Sequence, residues 1–283
     1  MNGIVFALGS IVFFTILCLL QRKLAIEVNN PRAMSIIFNA NASVVAILIF
    51  FLTGSQTNFM LPTKTEAWIV LAIVCLLYGL FERGRFVAAK LVDASTMATV
   101  GSVSTLVAFV GSIFLYSETL TLSKFGGVLL ILISLVLVSI AKTENKSNTK
   151  NILITLLVYT TLGLGWMLDK KGTMLFNAST YNILVWTVPL IFVYFPKIGF
   201  QQLKEEYKKV SGRVFILASV NVLAYFLELK AFETMEATTV LPIVQTSTIF
   251  TIVLAIFLLN EKQNVLKKLI AGILSFVGVY LLV

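Results

Sequence analysis

The chain has 283 residues, of which 58% are apolar and 12% charged; its net charge is +9 and it contains no histidine. An ordinary soluble domain is about 45–50% apolar and about 25% charged. A mean hydropathy of +0.96 therefore excludes a soluble enzyme, a disordered chain and a nucleic-acid binder, and the basic excess reads as the flanks of membrane segments.

A spanning helix needs roughly 20 mainly apolar residues. Such runs are expected at 3–21, 33–53, 66–91, 94–116 and 122–141, and again at 151–175, 180–196, 213–232, 237–259 and 266–283. The runs are continuously apolar, as at 4–20 and 128–141, which argues against the alternating strands of a barrel. Residues 1–20 lack a basic start and read as the first span rather than a cleaved signal. A loop with Gly54 and Pro62 follows the second run. KTENKSNTK at 142–150 reads as a linker between halves 1–141 and 151–283. In 199–210, Leu203, Tyr207 and Val210 recur at helical spacing among lysines and glutamates, which predicts a short amphipathic helix, on the headgroups or in a solvated loop. Cys18 and Cys75 lie in apolar runs and imply no disulfide.

The halves resemble each other. LCLLQRKLAIEVNNPRAMSIIF at 17–38 lies against GWMLDKKGTMLFNASTYNILV at 165–185, which sets Gln21-Arg22-Lys23 against Asp169-Lys170-Lys171. Ser95-Thr96 with FLYSE ending at Glu118 matches Thr238-Thr239 with FLLNE ending at Glu261, both at an offset of 143. Internal repeats are a transporter signature, and an odd number of helices per repeat inverts the second against the first.

These features, with FLYSETLT, FLLNEKQN and the Leu-Pro of TTVLPIVQ at 238–245, resemble the drug/metabolite transporter superfamily, closest in type to the EamA-like ten-helix exporters. The resemblance covers the whole chain. It implies an all-α integral membrane fold, with ten transmembrane helices as two inverted five-helix repeats in the cell membrane. It also implies alternating-access export of a small polar organic metabolite, an amino acid or similar. The first half departs from the pattern, with Thr99-Val100-Gly101 where the second has Leu241-Pro242. Sugar or nucleotide-type solutes are the alternative cargo; a channel, a sensor or a polytopic membrane enzyme are the alternatives in kind. No GxxxxGK[ST], HExxH or GxSxG motif is present, so direct ATP drive and hydrolytic chemistry are not expected, and no cofactor is. The expected partners are a small-molecule substrate and the lipid bilayer, not nucleic acid; a homodimer is left open.

Candidate binding residues come from charge accounting. Residues 67–81 are uncharged, 15 positions or about 22 Å of helix. Glu82, Arg83 and Arg85 follow, short of the roughly 30 Å hydrocarbon core. In 213–232 the run 214–227 precedes Glu228 and Lys230 in the same way. Charges at that depth persist when they pair or line a wet cavity. At the 143 offset Arg85 falls against Glu228 and Tyr78 against Asn221. This predicts that Arg85 and Glu228 face each other across a pseudo-twofold cavity, pair when it is empty and divide a zwitterionic or polar solute. Snorkelling interface residues are the alternative. Tyr225 joins this set. In the ninth run, Pro242 removes a backbone donor, and Gln245 with Thr246, Ser247 and Thr248 adds polar groups, which predicts a kinked lining segment. The small residues of 94–116 are expected to serve packing. Glu118 and Glu261 are expected at helix N-termini, and Glu82, Asp169 and Glu228 are candidates for proton coupling, which stays open. Arg22, Lys23, Lys170 and Lys171 read as topology charges, and Trp166 as a cavity or belt aromatic. Lys64, Lys124, Lys170, Lys171 and Lys230 fall on one side, and the other basic residues of the 22 on the opposite side. The positive-inside rule then places both termini outside, whereas the family resemblance places them in the cytoplasm.

Overall fold

The computed structural model describes residues 2–59, 61–116, 121–139, 149–195, 197–261 and 264–281, and within these the chain is all-helical. Five helices form the first half: α1 (Asn2–Glu27), α2 (Pro31–Leu52), α3 (Thr65–Leu91), α4 (Ala94–Tyr116) and α5 (Leu122–Ser139). The second half holds α6 (Thr149–Phe176), α7 (Ala178–Thr187), α8 (Pro189–Tyr194), α9 (Phe200–Val210), α10 (Gly212–Phe232), α11 (Ala237–Gln245), α12 (Ser247–Leu258) and α13 (Val265–Leu281). Six of these, α1 to α4, α6 and α10, are long and apolar enough to cross a membrane, and shorter apolar helices accompany them. Their outward faces carry bare apolar side chains, such as Val5, Leu8 and Val12 on α1 and Phe114 on α4. A lipid-facing surface needs no polar cover.

Local chemistry sets the boundaries. Asn30 caps α2, accepting from the amides of Arg32 and Ala33, with Pro31 at the first helical position. The first span runs past residue 21 to Glu27, because Gln21, Leu24 and Ala25 remain buried while Lys23 and Glu27 face outward. α3 carries Glu82 to Arg85 through its interior and continues to Leu91. α6 begins at Thr149, inside the expected linker, and residues 142–148 lie outside the described residues, as does Glu118.

Two expected spans are broken. The run 180–196 divides at Val188 into α7 and α8, because Pro189 cannot donate to the preceding turn. The run 237–259 also divides, yet the break falls at Thr246 and not at Pro242. There the Thr246 amide donates to Ile243 and the Ile249 amide to Thr246, a tighter 3-10 pattern. The Pro242 ring lies outside the described side chains.

Close helix contacts rest on glycine. α4 crosses α6 with the Ser104 backbone against Gly163, where an added Cβ would sit 2.5 Å from the Ser104 carbonyl oxygen. α13 meets α5 at Gly278 in the same way, 2.8 Å from the Gly127 oxygen. The expected amphipathic helix is α9. Its buried residues are Val210 and, unexpectedly, Glu206, while Tyr207 is exposed.

Ion pairs and hydrogen bonds fix the relative course of the helices. At the end of α1, Arg22 donates to the carbonyls of Ala89 and Lys90 at the end of α3, and Glu27 pairs with Arg213 at the start of α10. At the end of α6, Lys170 donates to the carbonyls of Phe232 and Met235 at the end of α10, and Lys171 pairs with Glu66 at the start of α3.

Candidate functional site

A cavity of about 140 Å³ lies between α1, α3, α4, α6, α7, α10 and the broken pair α11 and α12. Its wall is mostly aromatic and apolar. Phe14, Phe81, Tyr159, Trp166, Trp186 and Tyr225 line it, with Met97 and Val244 between them. Tyr225 packs edge-on against both Tyr78 and Trp186, at 6.0 and 5.9 Å between ring centres.

One strong ion pair sits in this wall. Arg85 donates to Glu82 Oε1 at 2.7 Å, one turn back on α3, and both side chains are almost fully buried. The guanidinium also donates to Gln21 Oε1 through Nη2 at 2.7 Å and Nε at 3.2 Å. With the Asn221 amide oxygen turned toward it, Asn221 accepts from Nη1 and Nη2 at 2.9 and 3.3 Å. The ring of Phe38 lies 4.4 Å below the guanidinium carbon, a cation–π contact in a dry setting. Arg85 is thus saturated, but Glu82 is not: its Oε2 has no partner among the described residues.

A second polar group forms at the helix break. Gln245 accepts from Thr105 at 2.9 Å and donates to Ser102 and Thr248 at 2.9 and 2.7 Å. Ser102 also bonds Ser275. Gln245 therefore ties α4, α12 and α13 together where the backbone of the ninth run opens, and its side chain still lines the cavity.

Of the nine candidates, Tyr78, Glu82, Arg85, Asn221, Tyr225 and Gln245 line this one cavity. Three stand apart. Arg83 points away and donates to the carbonyls of Phe192 and Phe195 at the end of α8, so its role there is to anchor a helix end. Pro242 has no described side chain. Glu228 does not line the cavity and forms no ion pair with Arg85 among the described residues. The expected pairing across the pseudo-twofold is corrected: Arg85 takes its carboxylate from its own helix, where spacing of three residues suffices. Gly101 and Ser104, expected to pack helices, also line the cavity. Glu261 sits at a helix N-terminus, though at that of α4 and not of the helix that follows it in sequence, accepting from the amides of Ala94 and Ser95 at 2.7 and 3.0 Å.

The sequence reading missed Gln21, Tyr159 and Trp186. Only Gln21 carried a signal, as a polar residue deep in the first apolar run. Trp186 and Tyr159 are indistinguishable in sequence from lipid-facing aromatics. Behind the wall lies Asp169, fully buried. It accepts from the hydroxyls of Tyr78 and, at 2.8 Å, Tyr181.

An integral membrane protein of two helical halves around a largely aromatic cavity with a few buried polar groups is the class that this geometry defines. The model of the EamA-like transporter family matches residues 1–140 and again 149–283, and the chain belongs to that family. It is a multi-pass membrane protein with two domain repeats. A search of curated proteins returns no match. One solved crystal structure superposes with a TM-score of 0.69 at 12% identity, covering 99% of this chain and 95% of that one; this likeness concerns the fold alone.

Proposed function

We propose that the protein is a secondary transporter of the cell membrane, with ten membrane helices in two inverted five-helix repeats at 1–141 and 151–283, and that it exports a small zwitterionic metabolite, an amino acid or similar, by alternating access. Inversion is supported by the helix ends. The end of α1 meets the end of α3 and the start of α10, whereas the end of α6 meets the end of α10 and the start of α3. Equivalent helices then run in opposite directions, which lets each half adopt the other's conformation. Counting α7 with α8 and α11 with α12 as single broken spans, and α9 as a surface helix, gives ten.

One observation carries the choice of cargo. The cavity presents a buried Arg85–Glu82 pair with one carboxylate oxygen unsatisfied. A buried pair costs much of what it gains, because both charges lose water. A zwitterion offsets that cost: its ammonium donates to Glu82 Oε2, and its carboxylate takes the guanidinium edge now shared by Gln21 and Asn221. The aromatic wall accommodates the side chain.

The test is counterflow in proteoliposomes with labelled amino acids, sugars, nucleotides and organic cations. Saturable uptake is expected for amino acids, driven by the same unlabelled compound inside. Non-saturating flux would mark a channel, and saturable uptake confined to sugars or nucleotides would overturn the zwitterion reading.

A further inference from the structure

Among the described residues, α9 is buried along one face. Leu203 packs against the small cluster of Ala33, Ile36, Val193 and Ile198, and Val210 is fully buried. Glu206 lies between them on the same face. It accepts from the amides of Asn29 and Asn30 in the turn between α1 and α2, and Lys209 pairs with it. Just beyond α9, Arg213 pairs with Glu27 at the end of α1. These contacts fix the roll of α9 about its own axis, and with it the direction of every other side chain on the helix.

Two faces are left, and they differ. Gln201, Gln202 and Glu205 form one, which is polar throughout and suits water. Phe200, Lys204, Tyr207 and Lys208 form the other, at i, i+4, i+7 and i+8, a single stripe along the helix. Phe200 is 79% exposed and Tyr207 46%. The stripe lies where two spans meet the membrane surface. α8 ends just before α9 with Ile191 and Phe195 bare, and α10 begins just after it with Phe215 and Ile216 bare. Aromatic rings with apolar bodies and lysines with long stems are the side chains that settle at that depth. Lys204 and Lys208 of the stripe, and the exposed Lys197 before it, make no hydrogen bond or ion pair among the described residues. Lysines at the opposite end of the helices are engaged: Lys170 with two carbonyls, Lys171 with Glu66 and Lys230 with Glu233.

We propose that the exposed stripe of α9 is a docking surface for anionic phospholipid headgroups. Phe200 and Tyr207 seat the helix at the boundary between headgroups and acyl chains, and Lys197, Lys204 and Lys208 take the phosphates. Charge complementarity selects the occupant: three cations without protein partners beside two bare aromatic rings match a surface that is negative above and apolar below. A soluble acidic protein would meet the charges but leave both rings in water. The proposal is independent of the transporter reading, because it rests on the roll of α9 and on where the adjoining spans leave the membrane.

The test uses the full chain in nanodiscs of phosphatidylcholine. Tyr207→Trp puts an indole on the stripe, and the signal of the native tryptophans is subtracted with the unsubstituted chain in the same lipids. Phosphatidylglycerol or phosphatidylcholine brominated on the acyl chains is then added as quencher. Half-maximal quenching is expected at a mole fraction of brominated phosphatidylglycerol at least about fivefold below that of brominated phosphatidylcholine, the effect of one lysine near an anionic surface. Salt at about 1 M, where the screening length is about 3 Å, is expected to bring the two curves together. Adding Lys197→Gln, Lys204→Gln and Lys208→Gln is expected to do the same at low salt and to leave quenching by phosphatidylcholine in place, which shows that the helix is still folded and seated. Equal quenching by the two lipids in the lysine-containing chain, or a preference that survives the three substitutions, overturns the anionic site. Absence of quenching by either lipid overturns the docking surface altogether and assigns the stripe to water or to a soluble partner.

Discussion

Positions 85 and 228 are equivalents in the two halves, 143 residues apart, yet they do opposite things. Arg85 reaches the cavity, and Gln21, Glu82 and Phe38 surround it. Glu228 lies behind the wall with no hydrogen bond to either oxygen among the described residues. Gln21, which accepts from Arg85, is itself matched by Asp169 in the other half, which accepts from Tyr78 and Tyr181. Lys90 and Glu233, again 143 apart, repeat the lesson. Lys90 donates to the Val28 carbonyl at the turn after α1, and Glu233 accepts from the Ala178 amide at the turn after α6. A duplicated fold conserves places, while the sign of the charge at each place decides whether a helix end is held by its carbonyls or its amides. The two repeats thus place a buried cation at the cavity in one half and buried carboxyls behind its wall in the other.

Removing the cation should have the largest effect. Arg85→Ala leaves Glu82 as an unpaired buried carboxylate, and a cost of about 3–5 kcal/mol is expected in thermal unfolding of the detergent-solubilised protein. Amino-acid counterflow should vanish. Combining Arg85→Gln with Glu82→Gln should recover most of the stability but none of the uptake, which separates folding from binding. On the acidic side, Gly172→Ala drives a Cβ into the Tyr181 ring, and overpacking of this kind costs about 1–3 kcal/mol. The equivalent position in the first half is Leu24, which is already a large residue; Leu24→Ala leaves a cavity there and should cost about 2–5 kcal/mol for that reason instead.

Much of this comparison is legible in the sequence. The charges inside α3 and α10 follow from hydropathy and charge depth, the 143-residue offset from matched motifs, and with the polar segment after Pro242 these yield the six candidate residues that line the cavity. The partner of Arg85 does not. Pairing across a pseudo-twofold depends on how far each helix is rotated, and hydropathy carries no rotation when a helix is apolar on most faces. The pairing on one helix, Glu82 to Arg85, was readable from its spacing. Asp169 was expected to be buried, but its partners were not legible; that α6 extends to Phe176 and turns Asp169 inward depends on Tyr78 and Tyr181, which arrive from other helices. The break at Thr246 was also hidden, because Pro242 is the stronger local signal and the tertiary bonds of Gln245 decide where the backbone opens.

Capping contacts should give smaller effects. Glu233→Ala removes the carboxylate that holds the Ala178 amide, and the loss of such a cap costs about 0.5–2 kcal/mol. Lys90→Ala at the equivalent place should cost no more, since its ammonium bonds a single carbonyl, that of Val28. A difference larger than this between the two variants would break the equivalence of the two turns.

Glu206 gives the mildest and most specific test, because it is an acid outside the membrane-spanning helices. It lies on α9 and accepts from the amides of Asn29 and Asn30 at 3.1 and 3.3 Å and from Lys209 at 2.8 Å. Burial alone pushes its carboxyl up, but the Lys209 ammonium and the two amides outweigh burial and hold it below the usual carboxylate range. A folded-state value below the unfolded one gives stability that is complete above the ordinary value of about 4.3 and lost as pH falls through the lower, folded value. Amide hydrogen exchange should therefore show α9 and the turn between α1 and α2 equally protected from neutral pH down to about 5, then opening together in acid. Glu206→Gln should open that turn at neutral pH and remove the acid step.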